Sequence, residues 1–310
     1  QAGEHVWLAA FGFLITAVGL PVITIIALSR VEGSIQILSS PLGKIASLIL
    51  TITCYLTVGP LFATPRTATV SYEIGFSSYL GTSSSSLLIY SAIYFSVVTL
   101  ISLYPNKILD TVGYVLSPLK ILSLTILGIA AMMIPTGFVP PAINNYIDSP
   151  VSEGFVNGYL TMDTLGALVF GIVIIQAIRS RGVSNPKLIT RYAVIASIIS
   201  GIGLTVVYLS LFKLGLGSHE VAANASNGAV ILHAYVQHAF GDLGSIFLSA
   251  MIFIACMVTA IGLTCACAEY FSSITKIGYK VWVFILIGFS FIISNLGLTK
   301  LIAFSVPVLS

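Results

Sequence analysis

Gly59-Pro60-Leu61-Phe62-Ala63-Thr64-Pro65-Arg66-Thr67-Ala68-Thr69 sets two prolines and an arginine at the end of an apolar run that begins near Ile45. A proline inside a helix frees backbone carbonyls. Hydrocarbon supplies no water to satisfy them, so such a break persists only where protein or a watery cavity covers it. An arginine at that depth faces inward and marks a candidate functional position. The surroundings are those of a membrane: the 310 residues are 57% hydrophobic and 7% charged, against roughly 25% charged in a soluble domain. Mean hydropathy is +1.06. Apolar runs long enough to cross a bilayer as helices follow one another, which defines an all-α polytopic membrane protein. The net charge of +3 reflects topology, and nothing points to nucleic acid.

Working outward, the first span runs from about Val6 to Leu28, and the second, unusually long, from Ile45 through the Gly-Pro segment toward Ser71. Leu87 to Tyr104 is the third. Leu119 to Ile134 is the fourth, preceded by an amphipathic piece from Asn106 to Leu116. The fifth, Phe155 to Ile178, carries a polar interruption from Asn157 to Thr164 in its first half and reads as a broken helix. Tyr192 to Phe212 and Leu243 to Ala268 are the sixth and seventh, with a short helix expected at Ala229 to Phe240 between them. Val281 to Ile293 makes an eighth, and Leu301 begins a ninth, so about eight complete spans and the start of another are expected in one transmembrane domain, residues 1–310.

Short cytoplasmic loops are enriched in lysine and arginine. The first, third, fifth and seventh connections hold Arg30, Lys44, Lys107, Lys120, Arg179, Arg181, Lys187, Arg191, Lys276 and Lys280, whereas the intervening ones hold only Lys213 and Lys300. This asymmetry puts the first residue outside the cell. An exterior start with no visible signal peptide implies a preceding helix, and the apolar end at Ser310 implies a continuation.

Several side chains are candidates for chemistry. Arg66 is either a snorkelling interfacial arginine or a gate or pocket residue. Asp163, flanked by Thr161 and Thr164, is either a helix N-cap placed just before Leu165 or the polar centre of a discontinuous transport helix. Glu269 closes the seventh span and reads as a solvated helix-end group. Thr259 lies four residues after Ala255 on the same helix face, where a hydroxyl and a carbonyl can bind a hard cation; a threonine in a membrane helix also commonly bonds its own backbone. Cys54, Cys256, Cys265 and Cys267 all sit in apolar runs and read as small buried hydrophobes. His219, His233 and His238 have no metal-ligand spacing. No metalloprotease, serine-hydrolase or nucleotide-loop motif occurs, so no enzyme is expected.

The segment from Gly59 to Gly75 closely resembles the signature of the bacterial branched-chain amino acid:cation symporters. Gly3 to Ala10, Gly158 to Asp163 with Ala167 to Gly171, and Thr264 to Phe271 agree with it. The resemblance implies a twelve-helix carrier with the inverted-repeat LeuT-like fold, of which this chain would supply helix two through part of helix ten. It implies import of leucine, isoleucine and valine coupled to Na+, or to H+ in some members, across the bacterial cytoplasmic (inner) membrane. Carried over, Tyr159, Thr161, Met162, Asp163 and Thr164 would wall the substrate pocket, joined by Phe62, Thr64 and Arg66 from helix three. Ala255 and Thr259 match the fold's second sodium site, with Val258 standing where its first hydroxyl is expected. A proton-coupled carrier and a non-transporting amino-acid sensor of the same fold are the alternatives.

Overall fold

The computed structural model describes residues 2–81, 83–104, 125–126, 128–129, 139–217 and 228–309. They are helical almost throughout: α1 (Gly3–Ser29), α2 (Lys44–Gly75), α3 (Ser84–Ser102), α4 (Pro150–Tyr159), α5 (Asp163–Ser180), α6 (Pro186–Gly217), α7 (Gly228–Ile274), α8 (Tyr279–Ser294) and α9 (Leu298–Leu309). Among the described residues six segments are long and apolar enough to cross a membrane, with α4 and α5 counted as one and Phe240–Ile274 as the spanning part of α7. The 16-residue α8 is shorter. The expected fourth span and its amphipathic leader lie largely outside the described residues. The chain is therefore a multi-pass membrane protein. Its exposed large apolar side chains, such as Phe11 and Ile23 on α1 and Ile199, Ile202 and Val206 on α6, suit a hydrocarbon solvent.

Contacts cluster in two compact units, Gln1–Val58 with Pro140–Phe212, and Gly59–Val139 with Lys213–Ser310. In the first, α1 packs on α4 and α5. The contact with α4 is made backbone to backbone: a Cβ on Gly12 would stand 2.0 Å from the Val151 carbonyl oxygen, and one on Gly154 only 1.9 Å from that of Ala9. Gly154 and Gly158 form the small-x-x-x-small spacing by which membrane helices approach closely. Thr16 crosses the seam and donates to the Phe155 carbonyl at 2.8 Å. A widened π-turn at Ile15–Gly19 precedes Pro21, which has no N–H to give the Ala17 carbonyl four residues earlier.

The second unit is built on α7, against which the C-terminal half of α2, α3 and α8 pack. Tyr72, Phe76, Tyr90, Tyr94 and Phe253 form a contiguous aromatic cluster. Tyr90 shares a 2.8 Å hydrogen bond with Ser71. As expected, α2 is long: 32 residues, about 48 Å at 1.5 Å per residue, against a hydrocarbon core of about 30 Å. It kinks where the prolines predict, with Gly59 outside helical geometry (φ −79°, ψ −112°). Gly59 also abuts Cys267, whose sulfur a Cβ would meet at 2.6 Å. Pro65 falls in the first turn of the helix that resumes at Ala63, where its missing N–H has no intrahelical partner to lose. The expected short helix at Ala229 to Phe240 is present as the first part of α7, set off from the spanning part by Gly241 at φ 64°.

Candidate functional site

The expected interruption of the fifth span is there, but it is narrower than Asn157 to Thr164. Only Leu160, Thr161 and Met162 separate α4 from α5. Asn157 remains helical because its amide donates to the Glu153 carbonyl (2.8 Å) and to the Tyr146 hydroxyl (3.1 Å), so its polarity is absorbed beside its own helix. Gly158 and Tyr159 stay in α4 as well. The turn is made by Met162, a buried non-glycine residue in the left-handed region at φ 64°. Such a conformation costs energy and persists where surrounding structure enforces it.

Asp163 is the first residue of α5 and not its N-cap; Met162 holds that place and no side chain caps the helix. The N-cap reading fails because the carboxylate is engaged elsewhere. The Thr161 hydroxyl lies 2.9 Å from Asp163 Oδ2 and 2.7 Å from the Gly158 carbonyl. The hydroxyl of Tyr208, on α6, donates to the same Oδ2. Phe13 holds the Tyr208 ring edge-on, centroids 4.8 Å apart. The carboxylate thus sits at the positive end of α5, whose N-cap residue, Met162, gives no side-chain cap.

Beside the break lies a cavity of about 220 Å³, bordered by Asp163 and otherwise mostly apolar, with Val18, Val22, Ala167, Phe170 and Leu204 in its wall. Every group in this arrangement belongs to the first unit. Of the residues expected to form the site, Tyr159, Thr161, Met162, Asp163 and Thr164 are gathered at the break. Tyr208 was not among them. The signal available in the sequence was a polar-tipped ring within the sixth apolar run.

Phe62, Thr64 and Arg66 belong to the second unit, in the turn after the α2 kink. Phe62 and Thr64 are buried and Arg66 is partly buried. The Thr64 hydroxyl oxygen is enclosed with no hydrogen-bond partner among the described residues. Buried polar atoms are nearly always paired, so an orphan of this kind calls for an explanation. Ala255 and Thr259 share a face of α7, as their spacing predicts, and the Thr259 hydroxyl donates to the Ala255 carbonyl at 2.8 Å.

A membrane-spanning helix broken around a hydrogen-bonded carboxylate, with a half-helix end and an apolar cavity beside it, is the construction of a membrane transport protein. The chain belongs to the family described as branched-chain amino acid transport protein, which it matches over residues 1–310; this is a family of transport proteins, not of enzymes. It is 63% identical over 310 residues to the branched-chain amino acid transport system 3 carrier protein of Pseudomonas aeruginosa, covering all of this chain and 71% of that protein. It is 59% identical, over the same shares, to the branched-chain amino acid permease BrnQ of Escherichia coli. To the branched-chain amino acid permease BraB of Bacillus subtilis it is 42% identical over 312 residues, 100% of this chain and 70% of that protein.

Proposed function

We propose that this chain forms the greater part of a secondary carrier that brings leucine, isoleucine and valine into the cytoplasm by alternating access, driven by the Na+ gradient across the bacterial cytoplasmic membrane. The observation that carries this reading is the break at Leu160 to Met162 with Asp163 held between Thr161 and Tyr208. A zwitterionic substrate requires a half-helix end and a few fixed polar groups, and its aliphatic tail requires an apolar recess. Backbone and side chains of Tyr159, Thr161, Met162, Asp163 and Thr164 supply the polar part, and the neighbouring cavity suits a small branched tail. The orphan hydroxyl of Thr64 supports a ligand-facing role for the segment that also carries Phe62 and Arg66. The names of the relatives support the substrates.

Discrimination among the three amino acids is coarse on this reading, because one methylene in an apolar pocket is worth only about 1 to 3 kcal/mol. Na+ would be held partly by the Ala255 carbonyl and the Thr259 hydroxyl. Coupling to H+ is the second reading, favoured by Val258 at the position where a further hydroxyl is expected. Uptake of radiolabelled leucine by the full-length protein in proteoliposomes separates these. Accumulation under an inward Na+ gradient supports the first reading, accumulation under a proton gradient without Na+ supports the second, and saturable binding with no net flux under either rejects transport in favour of a sensor.

A further inference from the structure

Two stretches of the first unit, Ser29 to Gly33 after α1 and Arg179 to Arg191 from the end of α5 into α6, carry five positive side chains and one negative. The cations are Arg30, Arg179, Arg181, Lys187 and Arg191, and the anion is Glu32, a net charge of +4. The fold brings the two stretches together. The Thr190 hydroxyl donates to the Ser29 carbonyl at 3.2 Å, so the residues next to each, Arg191 and Arg30, share one neighbourhood. Gly33, at φ 82°, turns the chain against α5, where a Cβ would stand 2.6 Å from the Ile172 Cα. Ile175 on α5 and Ile189 with Ala193 on α6 form a buried core that joins these helices at the same end.

All five cations are exposed. Arg179 is paired with Glu32 at 3.4 Å, and the other four have no carboxylate partner among the described residues. An apolar stripe leads away from them along α6. Leu188, Tyr192, Ile195, Ile199, Ile202 and Val206 are exposed, and their spacing of three or four residues puts them on one helix face. Arg191 lies three residues after Leu188 and four before Ile195, so it heads that face. From Tyr192 to Val206 the stripe is about 21 Å long at 1.5 Å per residue, more than one leaflet's half of a hydrocarbon core of about 30 Å.

We propose that this surface binds an anionic phospholipid of the cytoplasmic leaflet, its phosphate toward Arg30 and Arg191 and an acyl chain along the α6 stripe. By the lysine and arginine distribution both connections face the cytoplasm. Basic clusters at the cytoplasmic ends of spanning helices attract anionic headgroups, and the planar fork of arginine suits phosphate. Arg181 and Lys187 add to the positive field, while Glu32 neutralises Arg179 and so limits the affinity. A soluble anion would use the cations and leave the stripe idle. A zwitterionic lipid would bring its own cation against the patch. The inference is independent of which substrate the carrier moves.

The test is native mass spectrometry of the full-length protein in detergent, titrated with phosphatidylglycerol or with phosphatidylethanolamine. Phosphatidylglycerol binds more tightly to the wild type. The double variant Arg30→Gln with Arg191→Gln, which keeps Arg179, Arg181 and Lys187 and hence a basic cytoplasmic side, weakens that binding roughly 30-fold, at about fivefold per cation. Glu32→Gln frees Arg179 and tightens it about fivefold. Lys276→Gln with Lys280→Gln, which removes cytoplasmic cations of the second unit, leaves it unchanged. A photoreactive benzophenone side chain in place of Ile195 crosslinks to the lipid acyl chain. Equal affinity for the two lipids overturns the proposal, as does equal weakening by the Lys276 and Lys280 double variant, which would make the attraction a diffuse one. Displacement of phosphatidylglycerol by inorganic phosphate at matched ionic strength assigns the patch to a soluble anion and overturns it. Crosslinking from position 195 to another segment of the protein overturns it too. If the double arginine variant does not fold, Glu32→Gln decides alone, since unchanged or weaker binding there removes the patch from the site.

Discussion

Replacing Gly154 by alanine tests the α1–α4 seam that holds the broken helix in place. The new Cβ would stand 1.9 Å from the Ala9 carbonyl oxygen, where ordinary contact begins at 3.4 Å, so the helices must part by about 1.5 Å. That oxygen is backbone, and no side chain can swing aside to make room. Overpacking of this kind costs about 1 to 3 kcal/mol. The displacement would also break the 2.8 Å Thr16–Phe155 hydrogen bond, worth about 0.6 kcal/mol between membrane helices. Against this, Gly→Ala in a helix gains about 1 kcal/mol of propensity. The net expectation is destabilisation by about 0.6 to 2.6 kcal/mol. The control is Gly203→Ala on α6, where the added methyl meets nothing within 4 Å and only the propensity gain remains. Thermal unfolding of the full-length protein in detergent, followed by fluorescence-detected size exclusion, measures both. Gly154→Ala should unfold several degrees below wild type, and Gly203→Ala at or above it. Equal unfolding temperatures for the two variants would refute the close-packed seam.

Asp163→Ala should lower leucine uptake far more than it lowers the amount of folded protein in the membrane; equal losses would make the carboxylate a structural group. Tyr208→Phe removes one donor to Asp163, and a hydrogen bond to a charged group is worth about 1.5 to 3 kcal/mol. Uptake should therefore fall by roughly tenfold or more with the expressed amount unchanged, as read in proteoliposomes normalised to protein. Thr259→Ala should raise the Na+ concentration needed for half-maximal uptake, and an unchanged Na+ dependence would remove Thr259 from the ion site. Thr64→Val replaces a buried hydroxyl that has no hydrogen-bond partner among the described residues with a methyl of similar size, so unfolding temperature should hold or rise while uptake falls; unchanged uptake would exclude contact with the substrate.

Much of the architecture was legible because it depends on local sums. The apolar runs, the kink at Gly59-Pro60 and the presence of a last helix, expected from Leu301 and found from Leu298, follow from hydropathy and from the chemistry of proline and glycine in hydrocarbon. The break near Asp163 was legible for a related reason, since a cluster of polar residues in a spanning run must turn inward or interrupt the helix. Its width was not. Asn157 looks like a breaker in the sequence, but its amide reaches the Glu153 carbonyl and the Tyr146 hydroxyl, and that accommodation is invisible to composition. Asp163 likewise reads as an N-cap by position, yet its oxygen is claimed by Thr161 and by a tyrosine 45 residues away.

The sequence by itself determined that this is an α-helical multi-pass membrane protein, which of its connections are basic, where two of its helices must bend, and which family it resembles. Those features follow from free energies that each segment meets on its own against lipid or water. Only the tertiary structure decided that Tyr208 reaches Asp163, that Gly154 lies on the Ala9 carbonyl, and that the buried Thr64 hydroxyl has no hydrogen-bond partner among the described residues. A hydroxyl, a glycine or a helix terminus acquires its role from the surface another helix presents to it. Helix-to-helix geometry is set by packing between segments far apart in the chain, which no local property encodes.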